Sequence, residues 1–142
     1  MTASGRLDMW LASLRTRTLV GDAEPVLLRC LIVDDNKAFL ASACRLLESQ
    51  GVNVVGRART GREALRLTEL LRPDVVLVDV QLGEENGLDL ARKLTEPPRS
   101  ATVVLISTHT EDELAELLAD SPAIGFLRKK ALSAAAISDL LV

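Results

Sequence analysis

From residue 28 onward the chain alternates short β-branched apolar runs with stretches whose apolar residues recur every three or four positions, the pattern of strands alternating with amphipathic helices. Residues 28–33 form the first predicted strand. Residues 36–50 follow as a helix with Phe39, Ala43, Leu46 and Leu47 at helical spacing, and Gly51 supplies a left-handed stop. Residues 53–58 read as strand two. Thr60 and Glu63 have capping-box spacing, with Ala64, Leu67 and Leu71 on one face until Arg72-Pro73 ends the helix. Strand three, 74–79, is apolar through its middle, as expected of a strand buried on both faces. A polar loop, 81–86, leads to a helix over 87–94 that stops at Pro97-Pro98. Residues 102–107 are strand four. Thr110 and Glu113 repeat the capping-box spacing and open a helix through Leu114, Leu117 and Leu118 to Pro122. Residues 123–127 are strand five, and Ser133 caps a last helix with Ile137, Leu140 and Leu141 facing the core.

Five strands alternating with five helices predict a parallel sheet, because each parallel connection needs a crossover. The fold class is doubly wound α/β, in one domain. Residues 1–26 lack a sustained period and end in the turn-rich Gly21-Asp-Ala-Glu-Pro25, so they are expected to form a flexible extension, with Trp10 and its neighbouring arginines in it, before a folded body over 27–142.

Composition narrows the function. The 142 residues are 48% hydrophobic but only 2% aromatic, so the core is aliphatic and bases would find almost nothing to stack on. A net charge of -3 provides no footprint for a polyanion, and no direct nucleic-acid partner is expected. Cys30 and Cys44 are too few for a disulfide framework and form no zinc pattern, so buried reduced thiols are expected. The apolar runs fall short of a membrane span or a signal-peptide core; a cytoplasmic location with no membrane partner is expected.

In doubly wound sheets, ligands bind outside the carboxyl ends of the strands. Those ends carry Asp34-Asp35, Asp79, Ser107 and Lys129. Three carboxylates in one crevice repel one another unless a lysine or a hard divalent cation compensates, and Mg²⁺ is the natural candidate because it takes oxygen ligands and bridges carboxylates to phosphate. A carboxylate beside such an ion can attack a phosphoryl group, with Lys129 and the Ser107 hydroxyl as donors to the developing charge.

These residues resemble the response-regulator receiver domain of two-component signalling. The resemblance covers about 28–142 and rests on Asp34-Asp35-Asn36 after an apolar strand, on Asp79 with Gly87 eight residues later, on Ser107 closing Val-Val-Leu-Ile, and on Gly125-Phe126-Leu127-Arg128-Lys129. It implies a flavodoxin-like sheet of order 2-1-3-4-5. It further implies that Asp79 is the phosphoacceptor, that Asp34, Asp35, Asp79 and the backbone carbonyl of Gln81 hold Mg²⁺, and that Ser107 and Lys129 meet the phosphoryl group. Phe126 falls where the family places an aromatic switch residue, and the stretch from Val55-Gly56 to Glu63-Ala64 resembles receivers that usually precede a helix-turn-helix domain. Two departures stand out. Gly83 replaces a usual Pro and Asn86 a common Asp, so the loop after Asp79 is expected to be more mobile. Lys130 is a second amine, but its spacing from Ser107 favours Lys129. The last helix is short for the family.

The implied function is that of a stand-alone receiver, phosphorylated by a sensor histidine kinase or phosphotransfer protein, which signals through a protein surface to a second copy or a downstream regulator. It is not a turnover enzyme: an aspartyl-nucleophile phosphatase needs a second acid two residues beyond the nucleophile, and that position is Gln81. The alternative is a degenerate receiver used as a phosphorylation-independent docking or dimerisation module, which the intact Asp34, Asp35, Asp79, Ser107 and Lys129 disfavour. A dinucleotide site fails because no G-x-G-x-x-G follows strand one. His109, the only histidine, lies two residues past Ser107, where it would influence the lifetime of an acyl phosphate.

Overall fold

The computed structural model describes residues 27–108, 115–116 and 118–142. β1 (Arg29–Val33) leads through α1 (Lys37–Ser49) to β2 (Asn53–Ala58), and α2 (Gly61–Leu71) leads on to β3 (Val75–Asp79). β4 (Gln81–Leu82) and β5 (Glu85–Asn86) precede α3 (Gly87–Thr95), followed by β6 (Val103–Ser107), β7 (Gly125–Arg128), a 3₁₀ turn (Lys129–Ala131) and α4 (Ala134–Leu141). The main sheet has the order β2-β1-β3-β6-β7, all parallel, which is the predicted 2-1-3-4-5 arrangement of a doubly wound fold. The predicted helix over 110–122 falls largely outside the described residues, as does the segment 1–26.

Side chains alternate across the sheet, so its two faces build two cores. Ile32, Leu77, Val104 and Ile106 meet Leu40, Ala43, Cys44 and Leu47 of α1 with Ile137 and Leu141 of α4. Leu31, Val33, Val76, Val78 and Leu105 meet Ala64 of α2 with Leu90, Ala91 and Leu94 of α3. Each such leucine or isoleucine contributes roughly 1.5 to 3 kcal/mol by leaving water. Covered on both faces, the sheet offers only its edges and strand ends to solvent. Both cysteines are buried and free.

Helix ends follow the local chemistry. Asn36 caps α1 by accepting the Phe39 N–H at 3.1 Å, and Ser133 caps α4 through the Ala136 N–H at 3.0 Å. Gly51, at φ +89°, turns the chain out of α1. The capping box of α2 is displaced by one residue. Thr60 accepts from the Glu63 N–H as predicted, but the Glu63 carboxylate reaches back to the Arg59 N–H at 2.7 Å. Of the four residues at helical spacing in α1, Leu46 is exposed, and Leu40 and Cys44 join Ala43 and Leu47 on the buried face, because the helix turns its 40–43–44–47 stripe to the sheet.

The segment 81–86, predicted as a polar loop, is a hairpin. Gln81 pairs with Asn86 and Leu82 with Glu85, leaving Gly83-Glu84 as the turn. Gly83 has φ +62°, the positive first position that a II′ turn requires and that a proline, fixed near -65°, cannot adopt. The glycine that departs from the family's usual proline therefore has its own geometric role. Gly87 is required by proximity rather than by φ: a Cβ there would collide with the backbone carbonyl of Asp79.

Candidate functional site

Parallel pairing brings the carboxyl ends of β1, β3, β6 and β7 to one edge. Val33 pairs with Val78, Asp79 with Ile106, and Ser107 with Arg128, so Asp34, Asp79, Ser107 and Lys129 all emerge within about one residue of a common level. Asp34 is fully buried, Asp79 and Ser107 are nearly so, and Asp35 is exposed. One carboxylate oxygen from each of Asp34, Asp35 and Asp79 lies within 4.8 Å of the others. All the residues proposed from the sequence as the acidic site are thus gathered at one place.

Backbone amides fix two of the acids. Asp34 Oδ1 accepts the Asn36 N–H at 2.9 Å, and Asp79 Oδ1 accepts the Gln81 N–H at 3.1 Å. Their other oxygens share one cation. Lys129 Nζ lies 2.6 Å from Asp34 Oδ2 and 3.2 Å from Asp79 Oδ2, arriving from the 3₁₀ turn that follows β7. Lys130, the competing amine, is exposed. The 2.6 Å contact satisfies the buried Asp34 Oδ2 with the Lys129 ammonium.

The electrostatics follow from burial and crowding. Burial raises the Asp79 pKa above the ordinary carboxylate value, and the charge of Asp34 adds to this; the Gln81 N–H and Lys129 oppose it without reversing it. For Lys129, burial pulls downward, but Asp34 and Asp79 together outweigh it and hold the ammonium above a normal lysine. An all-oxygen donor set of one exposed and two buried acids, each offering an oxygen within 4.8 Å of the others, fits a hard divalent cation such as Mg²⁺.

Three neighbours were not among the site residues expected from the sequence. Phe39, on the first turn of α1, places its ring 4.4 Å from Lys129 Nζ, a cation–π contact. Arg59, one residue past β2, donates Nε and Nη2 to the Asp35 backbone carbonyl at 3.3 and 3.2 Å. The strand-end rule applied to β2 would have found Arg59. Glu85, on the hairpin, accepts the Gly61 N–H. Phe126 lies in β7, partly buried against the core on the α2–α3 face and paired with Leu105. His109 and residues 111–113 lie outside the described residues.

The family model described as the response regulator receiver domain matches residues 30–140. The chain belongs to this family of two-component signalling domains. Among curated relatives, the transcriptional regulatory protein PdtaR of Mycobacterium tuberculosis is 32% identical over 113 residues, 80% of this chain and 53% of that protein. The chain therefore spans about half the length of the curated relatives it matches. Among solved structures, the receiver domain of NarL from Mycobacterium tuberculosis superposes with TM-score 0.71 at 30% identity, over 82% of this chain and 98% of that one. A response regulator from Burkholderia pseudomallei, solved with a phosphorylated aspartic acid, a calcium ion and citrate, gives TM-score 0.68 at 27% identity, over 79% and 65%. Among the described residues, no helix is long and apolar enough to cross a membrane.

Proposed function

We propose that this receiver accepts a phosphoryl group on Asp79 from a sensor histidine kinase or phosphotransfer protein, with Mg²⁺ held by Asp34, Asp35, Asp79 and the Gln81 carbonyl. The observation that carries the reading is one lysine, Lys129, reaching two buried strand-end carboxylates that lie 45 residues apart in sequence, beside a third exposed one. Asp79 is the acceptor because it is central. It stands on the middle strand of the sheet, flanked by Asp34 on one side and Ser107 on the other.

A carboxylate oxygen of Asp79 attacks phosphorus, the bond from phosphorus to the donor's nitrogen or oxygen breaks, and the donor leaves with that electron pair. A divalent cation held by Asp34, Asp35, Asp79 and the Gln81 carbonyl would neutralise charge at the acids and the phosphoryl group. The Gln81 N–H holds Asp79 Oδ1 and so orients the carboxylate. Lys129 is already charged and pre-positioned, and it follows the negative charge from the carboxylates to the phosphoryl oxygens. The Ser107 hydroxyl, on the adjacent strand, is the second donor.

Phosphorylation adds roughly -1.5 to -2 charge at this strand end. Drawing Ser107 and Lys129 toward it biases β6 and β7, including Phe126, and exposes the change on a surface that a second copy or a downstream regulator reads. The chemistry of the receiver itself is its own phosphorylation and dephosphorylation.

The test is intact mass after incubation with a small acyl phosphate. One phosphoryl group per chain is expected with Mg²⁺ and none with a chelator, and Asp79→Asn removes the gain. The same gain in Asp79→Asn excludes this acceptor.

A further inference from the structure

We propose that Glu85 is a positioning residue for the acidic site: its carboxylate staples the hairpin after Asp79 to the first turn of α2 and so fixes the peptide of Gln81. The inference rests on reading Asp34, Asp35, Asp79 and the Gln81 carbonyl as a cation site.

Both Glu85 oxygens face a single amide, the Gly61 N–H, at 3.0 and 3.3 Å. Gly61 is the first residue of α2, so the carboxylate satisfies one of the orphan donors there and meets the positive end of the helix dipole. Across the hairpin, Glu85 opposes Leu82 and Asn86 opposes Gln81. The hairpin is anchored elsewhere at its start and its middle: the Gln81 N–H goes to Asp79 Oδ1, and Leu82 is buried in the core. Glu85 anchors the returning strand to a separate element, 24 residues away in sequence. Its turn residue Gly83 stands over Asp35, where a Cβ would lie 3.5 Å from Oδ2. Without Glu85 the returning strand keeps the bond from the Gly87 N–H to the Val80 carbonyl at 2.9 Å but loses its tie to α2, so the hairpin that carries Gln81 gains freedom to swing against α2.

A second observation points the same way. Gly61 does not have a positive φ, so its backbone does not need glycine. A Cβ there would sit 2.5 Å from Glu85 Oε1, and the next heavy atom beyond that carboxylate, Leu90 Cδ1, is at an ordinary 3.6 Å. What glycine at 61 makes room for is the Glu85 carboxylate.

The experiment measures the rate of phosphorylation of the full chain by a small acyl phosphate, read by intact mass as Mg²⁺ is titrated, together with amide exchange of the metal-free protein. Glu85→Ala is expected to raise the half-saturating Mg²⁺ about tenfold, in the range found for residues that orient metal ligands, while the rate at saturating Mg²⁺ returns to that of the wild type. A variant that merely lost folded protein would lower the maximum and leave the midpoint in place. Glu85→Gln keeps an acceptor oxygen and shifts the midpoint less. Gly61→Ala expels the carboxylate and reproduces Glu85→Ala; in the Glu85→Ala background it adds nothing, because the two act through one contact. Without metal, Glu85→Ala accelerates exchange at Gly61 and Gln81. Unchanged midpoints in a wild type that does phosphorylate, or shifts that add in the double variant, overturn the role of Glu85. A wild type that takes no phosphoryl group removes the site reading, and the role with it.

Discussion

Replacing Asp79 by asparagine should stabilise the metal-free protein, although it removes half of an ion pair. At an effective dielectric of about 20, two like charges 4.8 Å apart repel by about 3.5 kcal/mol, and the Asp34 and Asp79 oxygens lie within that distance. The 3.2 Å pair with Lys129 attracts by about 5 kcal/mol on the same scale, and the exposed Asp35 offsets some of that. The two terms nearly cancel. Burial of Asp79 then decides the sign, which is why its neutral form is favoured in the folded protein. An amide of the same shape avoids the desolvation, and Lys129 keeps Asp34 as its partner at 2.6 Å. A net gain of about 1 kcal/mol follows, which raises the thermal midpoint by roughly 3 to 6 °C in a domain of this size. The pH dependence has a definite sign. A raised carboxyl pKa means the folded state binds the proton more tightly than the unfolded one, so the wild type gains from this group as pH falls through the folded value. The advantage of Asp79→Asn is therefore full at pH 7 to 8, shrinks as pH falls through the folded value, and disappears only below about pH 3, where Asp79 is protonated in both states. Mg²⁺ reverses the order, because a bound ion at 100 times its dissociation constant adds about 2.7 kcal/mol to the wild type and less to a variant lacking one ligand. Thermal melts with chelator and with increasing Mg²⁺ give both comparisons. A variant that melts below the wild type in chelator at pH 7 to 8, or an order indifferent to Mg²⁺, refutes the reasoning.

Lys129→Ala leaves two buried carboxylates uncompensated and should cost about 3 kcal/mol in chelator, seen as a lowered urea midpoint, with Mg²⁺ restoring part of the loss. Gly87→Ala drives a Cβ into the Asp79 carbonyl and should destabilise by more than 2 kcal/mol, whereas Gly51→Ala, with open space around it, should cost only the strain of its φ of +89°. Burial pushes the Cys30 thiol well above its usual pKa, so neither it nor the buried Cys44 should react with an alkylating reagent at pH 8 until denaturant is added; rapid labelling of the native protein would contradict the packing.

The sequence exposed most where a residue's role follows from period or from strand ends. The five parallel strands and the placing of Asp34, Asp35, Asp79, Ser107 and Lys129 at their carboxyl ends needed only the alternation of elements and the strand-end rule, whereas the strand order came from the family resemblance. Leu46 misled because an apolar residue at helical spacing does not say which of two overlapping stripes the sheet will cover; Cys44 and Leu40 won the buried positions. The hairpin was hidden because Leu82 is the one apolar side chain between Gln81 and Asn86, and two ladder pairs closed by a positive φ at Gly83 leave no period to read. Phe39 over Lys129 and Glu85 on Gly61 join residues 90 and 24 positions apart. Only the packed sheet brings such pairs together.

The central claim is that one particular carboxylate takes the phosphoryl group, and mapping that carboxylate tests it most directly. Phosphorylating the chain with a small acyl phosphate and Mg²⁺, trapping the acyl phosphate by borohydride reduction and sequencing the peptides locates the modified residue. The account predicts reduction at Asp79 alone. Modification at Asp34, at Asp35 or at a residue away from the strand ends, or a phosphoryl group that forms equally well in chelator, would contradict it.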